Sequence, residues 1–436
     1  MPANAALHEI PYHASEACAR ALDAADPLAR FREYFCIPKA KNGAPAIYFC
    51  GNSLGLMPRA SRDAVLQELD DWERLGVDGH FHGAHPWYPY HEELRNPGAR
   101  LVGALPREVV FMNGLTVNLH LLMVSFYRPS ETRYRILVED AAFPSDTYAL
   151  QTQIRYHGRD PADALVRIGP RPGEHTLRTA DILARIDRER SQLALVMVGG
   201  VNFLTGQAFD MPAIAAAAHK AGAVVGFDLA HAAGNLELRL HDWNVDFAAW
   251  CTYKYLNSGP GAVAGAFVHE RHLGDASLPR FGGWWGNDPA TRFRMHLESE
   301  FRPVATADAW QLSNPPVLAM APVRVSLGMF DDATLPALRQ KSRRLTGYLQ
   351  FLLDAMPTGR YEVITPRESP DQPAPVRGAQ LSILAKDRPR ELFSELEAAG
   401  VVCDFREPNV IRVAPVPLYN TFHEVWRFAD VLGRHR

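Results

Sequence analysis

Short β-rich segments recur between about residues 105 and 268 with helical patterns between them, and this alternation constrains the fold more than any other feature of the chain. Several of the segments are apolar throughout, as strands are when helices cover both faces of a sheet. The segments are VVFM at 109–112, RILVE at 135–139, LVRI at 165–168, LALVMV at 193–198, AVVGFD at 223–228, DFAAWC at 246–251 and AVAGAFV at 262–268. The sequence therefore predicts an α/β fold with a mostly parallel seven-stranded sheet.

The pattern changes after about residue 315. Helical stretches at 336–355 and 388–399 alternate there with the strand-like segments YEVIT, AQLSIL and VIRVAPV, which predicts a smaller α+β lobe. We therefore predict three parts of the chain. They are an N-terminal segment over 1–60 that joins the small domain, a large domain over 61–314 and a C-terminal small domain over 315–436.

Composition argues against several classes of function. The 436 residues carry 46 basic and 49 acidic side chains, and the net charge of -3 gives no field that would favour nucleic acid or an anionic membrane. No apolar run reaches the roughly 18 residues that span a bilayer, and the N-terminus lacks the pattern of an export signal. The cysteines form no CxxC pair, which fits reduced thiols: Cys18, Cys36, Cys50, Cys251 and Cys403. We expect a cytoplasmic protein with a small-molecule partner.

Ligands in open α/β sheets bind outside the carboxyl ends of the strands, and two early strand ends carry suitable residues. NGLT at 113–116 follows the first strand, where Gly114 allows a tight turn and Thr116 starts a helix with free backbone N–H groups for an anion. FPSD at 143–146 follows the second strand and supplies the aromatic Phe143 and the acid Asp146. These segments predict a phosphate cradle beside an aromatic ring.

Two later strand ends complete a set of groups that pyridoxal phosphate (PLP) chemistry needs. Asp228 ends AVVGFD with His231 close behind it, and Tyr253 and Lys254 follow DFAAWC. PLP requires a lysine for covalent attachment, a carboxylate against the ring nitrogen, an aromatic over the ring and a phosphate cradle. Asp228 and Lys254 lie about one βαβ unit apart, so both can reach the mouth of one sheet. The sequence therefore predicts a PLP-dependent enzyme.

The sequence resembles the kynureninase family of fold type I PLP enzymes, near the class V aminotransferases, over nearly its whole length. The matching segments are YFCGNSLGLMPR at 48–59, NGLTVNLHLL at 113–122, FPSD at 143–146, TGQAFDMPAI at 205–214, GFDLAHAAGN at 226–235, YKYLNSGPG at 253–261, GWWG at 283–286, SNPP at 313–316 and IRVAPVPLYN at 411–420. GNSLG, FPSD, SNPP and RVAPVPLYN are the most specific of these. The resemblance implies hydrolysis of the Cβ–Cγ bond of L-kynurenine to anthranilate and L-alanine, in tryptophan degradation by the kynurenine pathway that also feeds NAD biosynthesis.

The same resemblance implies the roles of individual residues. Lys254 would anchor the cofactor and act as the base, Tyr253 would act as a catalytic acid, Asp228 would pair with the ring nitrogen and Phe143 would stack on the ring. The other implied cofactor positions are Leu115, Thr116, Pro144, Ser145, Asp146 and His231, with Trp284 and Asn314 supplied by the partner subunit of a homodimer. The implied substrate positions are Ser53, His80, Ser313, Asn314 and Arg412, of which Arg412 would hold the α-carboxylate.

Three positions bear on finer properties. The residue before Gly200, often Ser in the family, is Gly199, so a backbone N–H or a water must replace any hydroxyl contact with the cofactor. His80 and Asn314 match family members that favour the 3-hydroxylated substrate. We therefore expect kynurenine as a substrate with 3-hydroxykynurenine also accepted.

Three other interpretations stay open. The histidines of GHFHGAH, His80, His82 and His85, together with His91, suggest a metal-dependent hydrolase, although no acid stands at an established ligand spacing and we predict no metal. A cysteine desulfurase or an aminotransferase would use the same cofactor, but a desulfurase needs a reactive cysteine in a mobile loop and none is evident. A catalytically silent binding protein with this fold would leave the cofactor residues without a purpose.

Overall fold

The structure is a computed structural model that describes residues 7–275, 277–357, 359–368 and 374–435. Its strands are β1 (Ile47–Tyr48), β2 (Val109–Phe111), β3 (Arg135–Glu139), β4 (Leu165–Ile168), β5 (Leu193–Gly199), β6 (Val224–Asp228), β7 (Phe247–Trp250), β8 (Gly265–Val268), β9 (Tyr361–Val363), β10 (Leu381–Ala385), β11 (Val401–Val402), β12 (Asp404–Arg406) and β13 (Val410–Val413). Its α-helices are α1 (Glu16–Ala24), α2 (Ala60–Leu75), α3 (Gly79–His82), α4 (Tyr90–Glu93), α5 (Arg95–Val102), α6 (Leu115–Phe126), α7 (Pro144–Tyr156), α8 (Pro161–Ala164), α9 (Thr179–Glu189), α10 (Met211–Lys220), α11 (Val317–Ala333), α12 (Leu335–Asp354), α13 (Pro389–Ala398) and α14 (Phe422–Arg434).

The large sheet confirms the predicted mostly parallel architecture. In the described part of the chain it has seven strands in the order β2-β8-β7-β6-β5-β3-β4. Strand β8 runs antiparallel to both of its neighbours, and the other neighbouring pairs are parallel. Alternate residues of β5 enter two different cores, Val196 on one face of the sheet and Leu195 and Met197 on the other. Burial on both faces explains why these strands are apolar throughout.

A second lobe contains an antiparallel sheet in the order β12-β13-β10-β9. Its core includes Leu345 of α12 and Phe428 of α14 together with Leu22 and Phe49 from the N-terminal part of the chain. Strand β1 also joins this lobe, since Ile47 pairs in parallel with Val401 of β11. The small lobe is therefore assembled from both ends of the described chain.

Helix α11 lies between the two lobes in the sequence, but its buried side chains pack in the core of the large lobe. Met320, Leu327 and Phe330 belong to that core, whereas Leu345 of the next helix belongs to the small-lobe core. The domain boundary at residue 315 precedes this helix and stays a prediction. Among the described residues, the structure contains no helix long and apolar enough to cross a membrane.

Candidate active site

A cavity of about 240 Å³ opens at the carboxyl ends of β3, β5 and β6, beside the start of α6 and the loop after β7. The predicted residues that line it are Leu115, Thr116, Phe143, Ser145, Asp146, Asp228, His231, Tyr253 and Lys254. Pro144 begins α7 directly after Phe143. Segments far apart in sequence converge here because parallel strands bring their carboxyl ends to the same edge of a sheet.

The amine of Lys254 lies between an imidazole and an aromatic ring. Its Nζ atom is 3.0 Å from Nε2 of His231 and 5.7 Å from the centroid of the Phe143 ring. The loop that carries the lysine is hydrogen-bonded to the GNSLG turn at residues 51–55, where the N–H of Gly55 donates to the carbonyl of Tyr253 at 2.8 Å. A Cβ atom at Gly55 would stand only 2.3 Å from the carbonyl oxygen of Lys254, so this contact requires glycine.

Three buried carboxyl groups, those of Glu139, Asp146 and Asp228, also line the cavity. Asp228 ends β6, and its Oδ1 accepts the N–H of Ala230 at 2.8 Å. Burial and the neighbouring Asp228 carboxylate raise the pKa of Asp146 well above its usual value. Burial also raises the pKa of Glu139 to about 7. Burial therefore disfavours the charged forms of Glu139 and Asp146 at this site.

Glu139 was not identified from the sequence, although a signal for it exists. It ends β3 just as Asp228 ends β6, but the motif FPSD drew attention to Asp146 instead. Its carboxyl accepts the N–H of Gly199 at 3.1 and 3.3 Å. The Gly199 N–H is thus already engaged by Glu139 and is not free to contact a cofactor.

His231 and Tyr253 are held in their neutral forms. Burial, followed by the nearby charges of Lys254 and Arg412, places the pKa of His231 well below its usual value. In the described part of the chain, Nδ1 of this buried imidazole has no hydrogen-bond partner. Burial raises the pKa of Tyr253, so its hydroxyl remains a proton donor at neutral pH.

The start of α6 offers an open cradle for an anion. Gly114 precedes the helix without a side-chain cap, and a Cβ atom there would meet nothing within 4 Å. Thr116 and Ser145, at the starts of α6 and α7, place their hydroxyl oxygens 3.0 Å apart. Free N–H groups and two hydroxyls suit a phosphate. With the Lys254 amine, the Asp228 carboxylate and the Phe143 ring in the same cavity, the residues fit PLP.

Arg412 approaches the cavity from the small lobe. Its guanidinium pairs with Asp404, the residue opposite it in the β12–β13 ladder, and Nη1 donates to the carbonyl of Phe203 at 2.5 Å. Phe203 itself lines the cavity. Nε of Arg412 lacks a partner among the described residues. Burial lowers the pKa of this guanidinium to about 10, so it stays charged at neutral pH.

The remaining predicted site residues do not line this cavity in a single chain. His80 and Asn314 instead line a second cavity of about 520 Å³, together with Trp72 and Trp285. Trp284 packs edge-on against Trp285, with the ring centroids 4.8 Å apart. Ser53 and Ser313 are exposed. One protomer therefore brings together cofactor residues predicted to come from a single subunit, but it leaves His80, Trp284 and Asn314 outside this cavity.

The geometry does not favour a metal site at the histidine-bearing loop. In the described ranges, the group whose potential ligand atoms all lie within 4.8 Å of one another is Glu108, His241 and His269, and none of the four histidines from 80 to 91 belongs to it. Glu108 is already engaged, because its Oε1 lies 2.9 Å from Nδ1 of His241 and accepts the N–H of Glu270 at 2.8 Å. These contacts describe a hydrogen-bonded network that needs no ion.

The geometry also does not favour a desulfurase. Cys251 is the cysteine nearest to Lys254 in sequence, and burial raises its pKa to about 11. A buried thiol with a raised pKa is a poor nucleophile.

Comparison with family models and curated proteins gives a consistent result. The class V aminotransferase model matches residues 47–375, and the model described as the kynureninase C-terminal domain matches residues 338–432. Kynureninase from Myxococcus xanthus is 55% identical over 421 residues, which cover 97% of each chain. Kynureninase from Salinispora tropica is 58% identical over 423 residues, which cover 96% of each chain.

Solved structures of distant sequence share the fold. A cysteine desulfurase from Escherichia coli superposes with a TM-score of 0.72 at 17% identity, covering 93% of this chain and 98% of its own. A variant of the protein C-DES with glycine covalently linked to its PLP cofactor gives a TM-score of 0.72 at 16% identity, covering 92% and 99%. At this level of identity the likeness is one of architecture.

Proposed function

The chain belongs to the kynureninase family, and from this premise we propose how its residues hydrolyse the Cβ–Cγ bond of L-kynurenine to anthranilate and L-alanine. Members of this family are PLP-dependent hydrolases that act in tryptophan catabolism. The observation that carries the residue assignments is the convergence of Lys254, Asp228 and Phe143 on one cavity beside an open helix start. The roles below follow from the contacts of each side chain.

Holding the cofactor is assigned to the large lobe. Lys254 would attach it covalently, Asp228 would pair with the ring nitrogen, and Phe143 would cover one face of the ring. Leu115 and Thr116 of α6 and the Tyr253 hydroxyl would hold the phosphate. When bound, PLP supplies an electron sink for the negative charge that develops at the substrate Cα.

Proton movement is assigned to Lys254 and Tyr253. Lys254 Nζ would remove the proton from the substrate Cα, and the neutral His231 3.0 Å away would orient that amine. Water would add to the γ-ketone, and breakage of the Cβ–Cγ bond would release anthranilate. The Tyr253 hydroxyl, whose proton is retained because burial raises its pKa, would protonate Cβ to give alanine.

Binding of the substrate α-carboxylate is assigned to Arg412. This guanidinium is buried, remains charged and borders the cavity through Phe203. A buried guanidinium is suited to a carboxylate because it offers two parallel N–H donors.

We propose a homodimer in which Trp284 and Asn314 of each subunit complete the site of the other. Trp72, which lines the second cavity, is 61% exposed. Phe293 is 63% exposed and stacks on Tyr88, which packs edge-on against Trp285 of the same cavity. Large apolar side chains exposed together on one surface mark an association surface, whereas single scattered ones do not. The cytoplasm is the proposed location, since the five cysteines are unpaired thiols.

The wild-type chain should sediment at twice the mass of one subunit, and Trp72→Glu should shift it toward monomer with loss of most activity. The expected cause is that a charge replaces an exposed indole on the surface where the second subunit would pack. Tyr156→Glu, which changes an aromatic residue of 76% exposure on α7, is the matched control and should stay dimeric and active. Sedimentation velocity with activity assays reports both properties. A fully active monomer would contradict the shared site.

The test of the proposed activity is product release. Purified protein with PLP should convert L-kynurenine to anthranilate and alanine in equal amounts and should also accept 3-hydroxykynurenine, because the predicted ring-binding positions His80 and Asn314 are polar. Removing one hydrogen-bonding group, in Asn314→Ala, should change the ratio of kcat/KM for the two substrates by about 2- to 10-fold. Product fluorescence and alanine quantification measure both outcomes.

Leu318→Ala is the control for this ratio, since Leu318 lines the same second cavity without a polar atom in its side chain. Leu318→Ala should change kcat/KM for both substrates by the same factor and leave their ratio unchanged. If Asn314→Ala leaves the ratio unchanged, Asn314 does not contact the ring. If the wild type releases no anthranilate, the proposed activity itself is wrong.

A further inference from the structure

The loop over residues 201–205, which follows β5, forms part of the wall of the active-site cavity. Val201 and Phe203 line the cavity. The ring of Phe203 packs edge-on against the ring of Phe143, with centroids 5.4 Å apart and an interplanar angle of 81°. Phe143 in turn lies 5.7 Å from the amine of Lys254. The position of Phe203 therefore bears directly on the ring proposed to cover the cofactor.

Side chains of the small lobe hold the backbone carbonyls of this loop. Nε2 of Gln380 donates to the carbonyl of Phe203 at 3.0 Å and lies 3.3 Å from that of Leu204. The Ser382 hydroxyl donates to the Leu204 carbonyl at 2.5 Å, and the Thr365 hydroxyl donates to the next carbonyl, of Thr205, at 2.5 Å. Each of these three small-lobe side chains is buried. Buried bonds between neutral groups of this kind fix the backbone strongly, because breaking one leaves an unpaired polar atom.

Other contacts connect the loop to both ends of the proposed site. Nδ2 of Asn202 donates to the carbonyl of Ala141 at 3.0 Å, two residues before Phe143. Nη1 of Arg412 donates to the same Phe203 carbonyl that Gln380 binds, at 2.5 Å. The loop is therefore attached to the segment that carries the aromatic ring and to the proposed carboxylate-binding guanidinium.

Gln380 is the residue that joins these contacts. Its side chain is 1% exposed, and its Oε1 accepts a hydrogen bond from Nδ2 of Asn52 at 2.9 Å, while its Nε2 faces the Phe203 carbonyl and the Ser382 hydroxyl. The amide group supplies both the donor and the acceptor that these contacts require. Asn52 belongs to the GNSLG turn, which is hydrogen-bonded to the loop that carries Lys254.

We infer that Gln380 is a positioning residue that, through the carbonyl of Phe203, sets the ring of Phe143 over the cofactor and supports Arg412 in its orientation toward the substrate carboxylate. Gln380 does not line the cavity of Lys254. It acts through its bonds to the carbonyls of the 201–205 loop, and it also accepts the bond from Asn52. The inference rests on the proposed function for the roles of Phe143 and Arg412. Contacts between the two lobes therefore fix both the position of the Phe143 ring and the orientation of Arg412.

The test replaces Gln380 with Met, which keeps the length of the side chain but removes its donors and acceptor. Two readouts apply: the visible circular dichroism of bound PLP at saturating cofactor, and the separate values of KM and kcat. We expect the dichroic band to fall at least twofold and KM for kynurenine to rise roughly tenfold, more than kcat falls, because the lost hydrogen bond to Phe203 releases both Phe143 and Arg412. Ser382→Ala should give smaller changes in the same direction and serves as the test should Gln380→Met fail to fold.

Gln350→Met is the matched control. Gln350 is a buried amide of the same lobe whose hydrogen bonds go to Asp354 and Arg377 and not to the loop. It should lower the melting temperature without changing the dichroic band. A wild-type band and wild-type KM in both loop variants, or equal changes in Gln350→Met, would overturn the inference. The dichroism of bound PLP reports on the loop even where the wild type fails to cleave kynurenine, so the two failures are distinguishable.

Discussion

Replacing Lys254 with alanine is expected to lower kcat by roughly 10⁴-fold or more, because a single amine serves as covalent anchor and as base. The fold should persist. The side chain is only half-buried at a cavity wall, and its closest polar contact is with His231 at 3.0 Å. Anthranilate release at saturating kynurenine and cofactor measures the loss of activity, and thermal unfolding measures the fold.

Covalent attachment provides an independent readout for the same variant. After borohydride treatment and proteolysis, mass spectrometry of the wild type should show the cofactor on the peptide that contains Lys254, and the variant should carry none. Lys220→Ala, at an exposed lysine in the last turn of α10, should behave as wild type in both assays. Turnover within tenfold of wild type in Lys254→Ala would contradict the assignment.

Replacing Asp228 with asparagine is expected to lower kcat by roughly 10²- to 10³-fold, the usual cost of removing one pre-organised electrostatic group from an active site. Asparagine keeps the shape and can still accept the N–H of Ala230, which Oδ1 of Asp228 accepts at 2.8 Å. What it removes is the negative charge proposed to pair with the cofactor ring nitrogen. The affinity for PLP should fall as well, and titration of the apoprotein measures it.

The same substitution should also move a neighbouring titration. The Asp228 carboxylate is one of the causes that raise the pKa of Asp146, so its loss should lower that pKa, and Asp146 should ionise at a lower pH than in the wild type. Carboxyl titration of the apoprotein by NMR would report this shift. Asp210→Asn is the control, because Asp210 caps α10 and asparagine caps a helix equally well. A wild-type kcat in Asp228→Asn would exclude Asp228 as the partner of the ring nitrogen.

The structure adds to the sequence prediction chiefly where the two lobes meet. Arg412 was expected from its motif, but its pairing with Asp404 depends on the register of β12 and β13. Gln380 and Phe203 carried no motif signal, and their contact exists only because the small lobe docks on the loop after β5. His80 and Asn314 illustrate the opposite case, since their motif match does not bring them to the Lys254 cavity within one chain.

The sequence by itself determined the large sheet and which residues meet at its edge. Wholly apolar strands demand cover on both faces, and parallel strands deliver their carboxyl ends to one side, so Thr116, Phe143, Asp228 and Lys254 could be placed together from local pattern alone. Only the tertiary structure decided what Glu139, Gln380 and Asp404 contact. Each of those contacts joins segments that no short-range pattern relates, and their partners are fixed by strand register and lobe docking, which depend on the packing of the whole chain.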